Sequence, residues 1–274
     1  MFRLREVDLD ILPAGAGRVR ILHISDAHLM PNQTRKLEFI SMLGALRPDF
    51  VVNTGDNVAA ETAIRPLLDA LSPLLQRPGA FVLGSNDKYA AGKRNLFRYL
   101  LKDPRHEDGP KDPELPTERL VEAFTSAGWF DADNHRGTIA AAGVDIDIVG
   151  VDDPHLDHDE YPPLTESSYT ETAPGRPRLR LGVVHAPYQR VLSAMVNEGC
   201  DLILAGHTHG GQLALPFIGA LVTNCDLPRT QAKGVSWHSG VPLHVSGGLG
   251  ANPFHNMRTA NPPEATLITL RERR

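Results

Sequence analysis

Two imidazoles stand one residue apart, between glycines, in Gly206-His207-Thr208-His209-Gly210-Gly211. Imidazole is the commonest protein ligand for borderline divalent metals, so metal binding is the first chemistry such a pair offers. In an extended turn, side chains at i and i+2 point the same way and would serve two separate ions poorly. The flanking glycines permit a backbone twist that hands the two rings to neighbouring positions. A polar loop with two exposed histidines would explain a lone His-x-His as well, so the rest of the chain decides.

Four more apolar runs end in similar groups. Val19 to Ser25 runs into Asp26-Ala27-His28, and Phe50 to Thr54 into Gly55-Asp56-Asn57. Ala80 to Leu83 runs into Gly84-Ser85-Asn86-Asp87, Leu179 to Val184 ends at His185, and Leu202 to Ala205 precedes the histidine pair. Each run reads as a buried strand. Helical spacing fills the gaps at 36–46 and 61–75, with an interruption or kink expected near Pro66, so the early strands should be parallel with crossover helices. In open α/β sheets, functional groups gather beyond the carboxyl ends of the strands. The set offers oxygen and nitrogen without thiolate, which suits zinc, manganese, iron or magnesium. It also exceeds what one ion needs, and a carboxylate bridging two ions about 3.5–4 Å apart is the usual solution.

Other segments are less regular. Residues 88–116 carry Pro104, Pro110, Pro113 and Pro116 among charges and read as a surface excursion. Inside it, Leu96, Phe97, Leu100 and Leu101 alternate with Arg94, Arg98 and Lys102, which predicts a short amphipathic helix covering the core, with a lipid-facing lid as the sharper reading. A helix is predicted over 117–127, a hairpin over 138–149 and a loop over 152–177. Further on, a helix follows over 191–199 and late strands over 243–246 and 265–270. The chain of 274 residues is 41% hydrophobic with a formal net charge of −5, which argues against a broad nucleic-acid surface. It has no apolar run long enough to span a membrane, and the charged start Arg3-Leu4-Arg5-Glu6 lacks a signal-peptide core, so a cytoplasmic location is expected, with peripheral membrane contact left open. Cys200 and Cys225 fit no metal pattern and are expected to be reduced and structural.

In order from Asp26 to His209, these motifs resemble the calcineurin-like metallophosphoesterase family: Asp-x-His, Gly-Asp, a Gly-Asn-His-Asp variant, His, and Gly-His-x-His. Gly206 to Gln212 and Val245-Ser246-Gly247-Gly248-Leu249-Gly250 also resemble one branch of it. The resemblance covers nearly the whole chain. It implies a single α/β domain over 1–274 in which two mixed β-sheets pack as a sandwich flanked by helices. It also implies two divalent ions (Mn, Fe, Zn or Mg), one held by Asp26, His28 and His209, the other by Asn86, His185 and His207, with Asp56 bridging. The implied activity is hydrolysis of a phosphoester or pyrophosphate bond by metal-activated hydroxide, with Asp56, Asn86 and His207 in the catalytic machinery. The substrate would be a phosphorylated small molecule or a lipid-linked one. A non-catalytic metal-binding or scaffold protein on the same fold is the alternative.

One motif departs from the pattern. Where the family has Gly-Asn-His-Asp, this chain has Gly84-Ser85-Asn86-Asp87. An amide oxygen is a better ligand than a neutral hydroxyl, so a one-residue shift that places Asn86 in the ligand slot is preferred over Ser85. Either way, the histidine expected to contact phosphate or protonate the leaving group is missing. Asn57 and Asp87 are expected to orient ligands. His23, inside a strand, is expected to be packed or hydrogen-bonded. His106, His135, His155, His158, His238 and His244 are expected in surface or loop roles, and Arg35 and Lys36 on a solvated helix face. Gly247-Gly248 reads as a turn. His255 could approach the metals from a strand-end loop, and Arg258 could bind an anionic substrate or pair on the surface.

Overall fold

Every apolar run that ends in a candidate ligand is a strand in the computed structural model. It describes residues 1–90, 113–211, 214–215, 219–220, 223–251 and 261–273. The first sheet contains β1 (Arg3–Leu12), β2 (Arg18–Ile24), β3 (Phe50–Asn53), β4 (Gly79–Phe81), β5 (Phe130–Asp131) and β14 (Glu264–Glu272), in the order β1-β14-β2-β3-β4-β5. β2 to β5 are parallel, and β14 runs antiparallel to β2. The second contains β6 (Arg136–Ala141), β7 (Val144–Gly150), β8 (Arg178–Val184), β9 (Leu202–Ala205), β12 (Gly234–His238) and β13 (Val241–Val245), in the order β12-β13-β9-β8-β7-β6. Its four central strands are parallel and its outer two antiparallel. A short antiparallel pair, β10 (Ala214–Leu215) and β11 (Gly219–Ala220), stands apart.

Strand alternation builds a layer on each side of each sheet. Val19, Ile21, Phe50 and Val52 of the first sheet share one core with Ile146, Ile148, Leu181, Val183 and Leu204 of the second. The opposite parity of the first sheet, Leu22, Val51 and Phe81, packs on α1 (Thr34–Met42), α2 (Ile64–Leu75) and α4 (Glu118–Ser126) through Ile40, Leu67, Leu71 and Phe124. Val184 and Ile203 of the second sheet pack on α5 (Gln189–Glu198) through Leu192 and Met195. Each such buried side chain contributes about 1.5–3 kcal/mol of transfer free energy, which is what holds both sheets in register at the end where ligands emerge.

Several expectations change. α2 begins at Ile64 after a 3-10 turn over Glu61–Ala63, so Pro66 falls in the first turn, where a missing N–H costs no bond, and does not interrupt the helix. β1 has no counterpart in the sequence reading; it is an edge strand whose charged residues face solvent. Lys36 is buried, not solvated, and its Nζ donates to the Ala27 carbonyl at 2.5 Å, steadying the turn between Asp26 and His28. The excursion is anchored at its base, where Ala90 N–H donates to Pro113 O and Leu115 N–H to Lys88 O, both at 2.8 Å. Its amphipathic stretch and His106 lie outside the described residues, as do Gln212, His255 and Arg258. No disulfide joins Cys200 and Cys225, and both are buried. Among the described residues, no helix is long and apolar enough to cross a membrane.

Candidate metal centre

All seven predicted ligands stand at or just beyond the carboxyl ends of parallel strands. Asp26 and His28 follow β2, Asp56 follows β3, and Asn86 lies in α3 (Ser85–Lys88) after β4. His185 follows β8, and His207 and His209 follow β9. Five of the seven (Asp26, His28, Asp56, His207 and His209) have positive φ, among eleven such non-glycine residues described. That backbone region is sparsely populated by L residues, and its concentration here marks turns bent to aim side chains inward.

Asp26, His28, Asp56 and His209 converge, and one ligand atom from each lies within 4.8 Å of the others. His28 Nε2 is 3.1 Å from His209 Nε2 and 3.3 Å from Asp56 Oδ2, while His209 Nε2 is 3.6 Å from Asp26 Oδ1. All four residues are buried. Two imidazoles and two carboxylates, aimed at one point away from water, fit a divalent cation of the borderline kind.

Asp56 connects this group to the second set. Its Oδ1 accepts the Asn86 backbone N–H at 2.8 Å, its Oδ2 accepts the Asn86 side-chain amide at 3.0 Å, and His185 Nε2 is 3.5 Å from Oδ2. The Ser85 hydroxyl accepts from the same Asn86 amide at 3.3 Å. Only glycine fits at position 84, because a Cβ there would lie 2.3 Å from Asp56 Oδ1 and 2.7 Å from His185 Nε2. Asp87 stabilises this turn by accepting from Asn57 N at 2.7 Å and Gly84 N at 3.1 Å. His207 packs edge-on against His185, with ring centroids 5.3 Å apart.

Hydrogen bonds at the back of two rings fix which nitrogen faces the site. His185 Nδ1 lies 2.6 Å from the Thr54 carbonyl and His207 Nε2 lies 3.2 Å from the Asn224 carbonyl. A carbonyl only accepts, so those nitrogens carry hydrogen, and metal binding falls to His185 Nε2 and His207 Nδ1. Burial alone would raise the pKa of Asp56, but the His185 and His28 rings outweigh it and hold the carboxyl well below the usual carboxylate range. Burial likewise opposes charge on His185, yet Asp56 and Asp153 outweigh it and raise its pKa well above the ordinary value. His207 is pushed well down by burial, His155 and His185.

Two nearby residues escaped the sequence reading. His155 lies in the predicted loop, half-buried in a 3-10 turn over Pro154–Leu156, but it reaches the site: its ring centroid is 4.6 Å from that of His207, and its Nδ1 is 3.1 Å from the Tyr188 hydroxyl. Asp153 is fully buried, with its pKa raised to about 6 by burial against the opposing pull of His185. Both follow β7, which is parallel to β8, so the rule that ligands gather at parallel strand ends applied to Val151-Asp152-Asp153-Pro154-His155 as well. His244 is also fully buried, in β13, rather than on the surface. His23 is buried and hydrogen-bonded, as expected.

Two mixed sheets that bring carboxylates and imidazoles together at their shared carboxyl edge define a metal-binding α/β sandwich. The chain belongs to the calcineurin-like phosphoesterase family, whose profile matches residues 19–211. It is 28% identical to the metallophosphoesterase YkoQ of Bacillus subtilis, over 94% of this chain and 85% of that one. The phosphodiesterase YaeI of Escherichia coli is 26% identical, over 98% of this chain and 88% of that one. A transmembrane protein with a metallophosphoesterase domain from Bos taurus is 27% identical over 80% of this chain, which spans about half of that protein's length, 46%.

Proposed function

We propose that this protein is a metal-dependent hydrolase that cleaves a phosphoester or pyrophosphate bond, and that residues 1–274 act as one phosphoesterase domain. Asp26, His28 and His209 would hold one divalent ion, Asn86, His185 and His207 a second, and Asp56 would serve both. The observation that carries this reading is the buried convergence of Asp26, His28, Asp56 and His209. Divalent ions held by these residues would supply a water made acidic near neutrality and positive charge against a phosphate. The chain's part is to hold the ligands in fixed rotamers and tautomers, as the carbonyls of Thr54 and Asn224 do for His185 and His207. Phosphorylated small molecules and lipid-linked phosphates are the substrate classes, acting in the cytoplasm or at its membrane face.

Metal analysis combined with hydrolysis of an aryl phosphodiester tests this reading. Bound metal without hydrolysis of any monoester, diester or pyrophosphate would leave a scaffold on the same fold. The ligand slot has its own test, because Asn86 meets Asp56 through both its backbone and its side chain. Asn86→Ala should deplete one metal and weaken that site more than about 10-fold, while Ser85→Ala stays mild. The reverse ranking, read by metal content, would put Ser85 in the slot.

A further inference from the structure

Behind the metal centre, a file of buried polar groups crosses the sandwich. His244 Nδ1, on the second sheet, is 2.8 Å from His23 Nδ1 on the first. His23 Nε2 is 2.9 Å from Thr54 Oγ1, Thr54 Oγ1 is 2.7 Å from Ser25 Oγ, and Ser25 Oγ is 2.5 Å from Asp26 Oδ2. All five residues are buried, in a layer otherwise filled by apolar side chains such as Ile21, Phe50, Val52 and Leu204. Apolar side chains would fill that space at no desolvation cost, so the polar file calls for a cause beyond packing.

The order of hydrogens along the file follows from counting donors. A carboxylate oxygen accepts, so Ser25 donates to Asp26. Ser25 has then spent its hydrogen and accepts from Thr54. Thr54 has likewise spent its own and accepts from His23 Nε2–H. Burial, with the neighbouring His244, pushes the His23 pKa well down, and burial with Arg5 and Lys233 takes His244 to about 3, so both rings are neutral. A neutral His23 protonated at Nε2 has a bare Nδ1, which accepts from His244 Nδ1–H. His244 Nε2 is therefore bare as well, and that buried nitrogen has no hydrogen-bond partner among the described residues. The file runs one way and ends on Asp26. The glycine that opens the His-x-His turn is part of its fit: a Cβ on Gly206 would lie 2.1 Å from Ser25 Oγ and 3.0 Å from Thr54 Oγ1.

We propose that His244, His23, Thr54 and Ser25 are positioning residues that hold Asp26 by its Oδ2 and so present Oδ1, on the His209 side, to a divalent cation. The relay polarises successive hydroxyls towards the carboxylate and, together with the His207 N–H that reaches both carboxylate oxygens at 3.1 Å, fixes the orientation of Asp26. It also ties the ligand loop after β2 to β13 of the opposite sheet, so the second sheet takes part in setting a ligand of the first. This inference rests on reading Asp26 as a metal ligand.

The experiment titrates metal-free protein with Mn²⁺ by calorimetry and records long-range ¹H–¹⁵N spectra of the histidine rings. Thr54→Val keeps the side-chain shape but removes the hydroxyl. It should weaken Mn²⁺ binding about 10–100-fold, the usual cost of losing an outer partner of a ligand. Thr54→Ser should restore affinity close to that of the unaltered protein. Thr54→Val leaves His23 Nε2–H without its acceptor and Ser25 without its donor and should also melt lower without metal, so affinities are compared where each metal-free form is fully folded. The ring spectra of the unaltered protein should show His23 protonated at Nε2 and His244 at Nδ1. Equal Mn²⁺ affinity in Thr54→Val, or a His23 protonated at Nδ1, overturns the relay while leaving the metal centre intact. Failure of the unaltered protein to bind Mn²⁺ overturns the metal centre and the relay together.

Discussion

Asp56→Asn is expected to lower turnover by about 10²–10³-fold, the range seen when one charge stabiliser is removed from a preorganised site. Metal affinity should fall more than 100-fold, beyond the roughly 10–100-fold typical of outer partners. The change is nearly isosteric, and an Asn carbonyl still accepts the Asn86 backbone N–H that now reaches Asp56 Oδ1 at 2.8 Å. What it removes is the negative charge facing His28 at 3.3 Å and His185 at 3.5 Å. Two cations brought close together need such a charge between them. Elemental analysis of the purified variant, alongside kcat on an aryl phosphodiester, reads both effects. Full occupancy with near-normal turnover would remove the two-metal assignment.

The second large effect concerns the leaving group. A positioned acid contributes about 10²–10⁴-fold, most for strongly basic leaving groups. The turn after β4, Gly84-Ser85-Asn86-Asp87, carries no histidine. Asn86 is an amide and gives up no proton, and Asp87, whose pKa burial and Asp56 raise to about 6, is tied down by accepting from Asn57 and Gly84. Turnover should therefore fall steeply as leaving-group pKa rises across a phosphodiester series, favouring aryl esters and pyrophosphates over simple alkyl esters. A flat dependence, measured where chemistry limits the rate, would sink this argument and direct attention to His155, which packs on His207.

The strand-end acids, amide and imidazoles were legible because each apolar run stops abruptly at one of them, and that boundary survives without knowledge of the fold. The helices on the outer faces were legible from their spacing for the same reason. β1 was not, since Arg3-Leu4-Arg5-Glu6-Val7-Asp8 on an exposed edge has the composition of a charged tail, and only its pairing with β14 makes it a strand. His155 was hidden by the acidic, proline-rich loop around it. The alternation in Val241-Pro242-Leu243-His244-Val245 separates two faces of β13, but not that both are covered, one by the opposite sheet and one by the cluster around α5. Lys36 reads as solvated because its charge says so; the carbonyl of Ala27 that receives it is set by the turn, not by the helix.

The seam between the sheets has a mechanical consequence. Asp26, His28 and Asp56 belong to loops of the first sheet, whereas His209 belongs to the second. An ion gripped by all four would be a rivet through two plates, and pulling the plates apart would break it. Anything that binds only the folded chain adds to its stability, by about 2.7 kcal/mol when its free concentration is a hundred times its dissociation constant. Chelation should therefore lower the melting temperature, and stepwise return of Mn²⁺ should raise it in a concentration-dependent way. His209→Ala detaches the second plate from that ion, so the gain from added metal should shrink in this variant. An equal gain in both proteins would mean that His209 takes no part in gripping that ion.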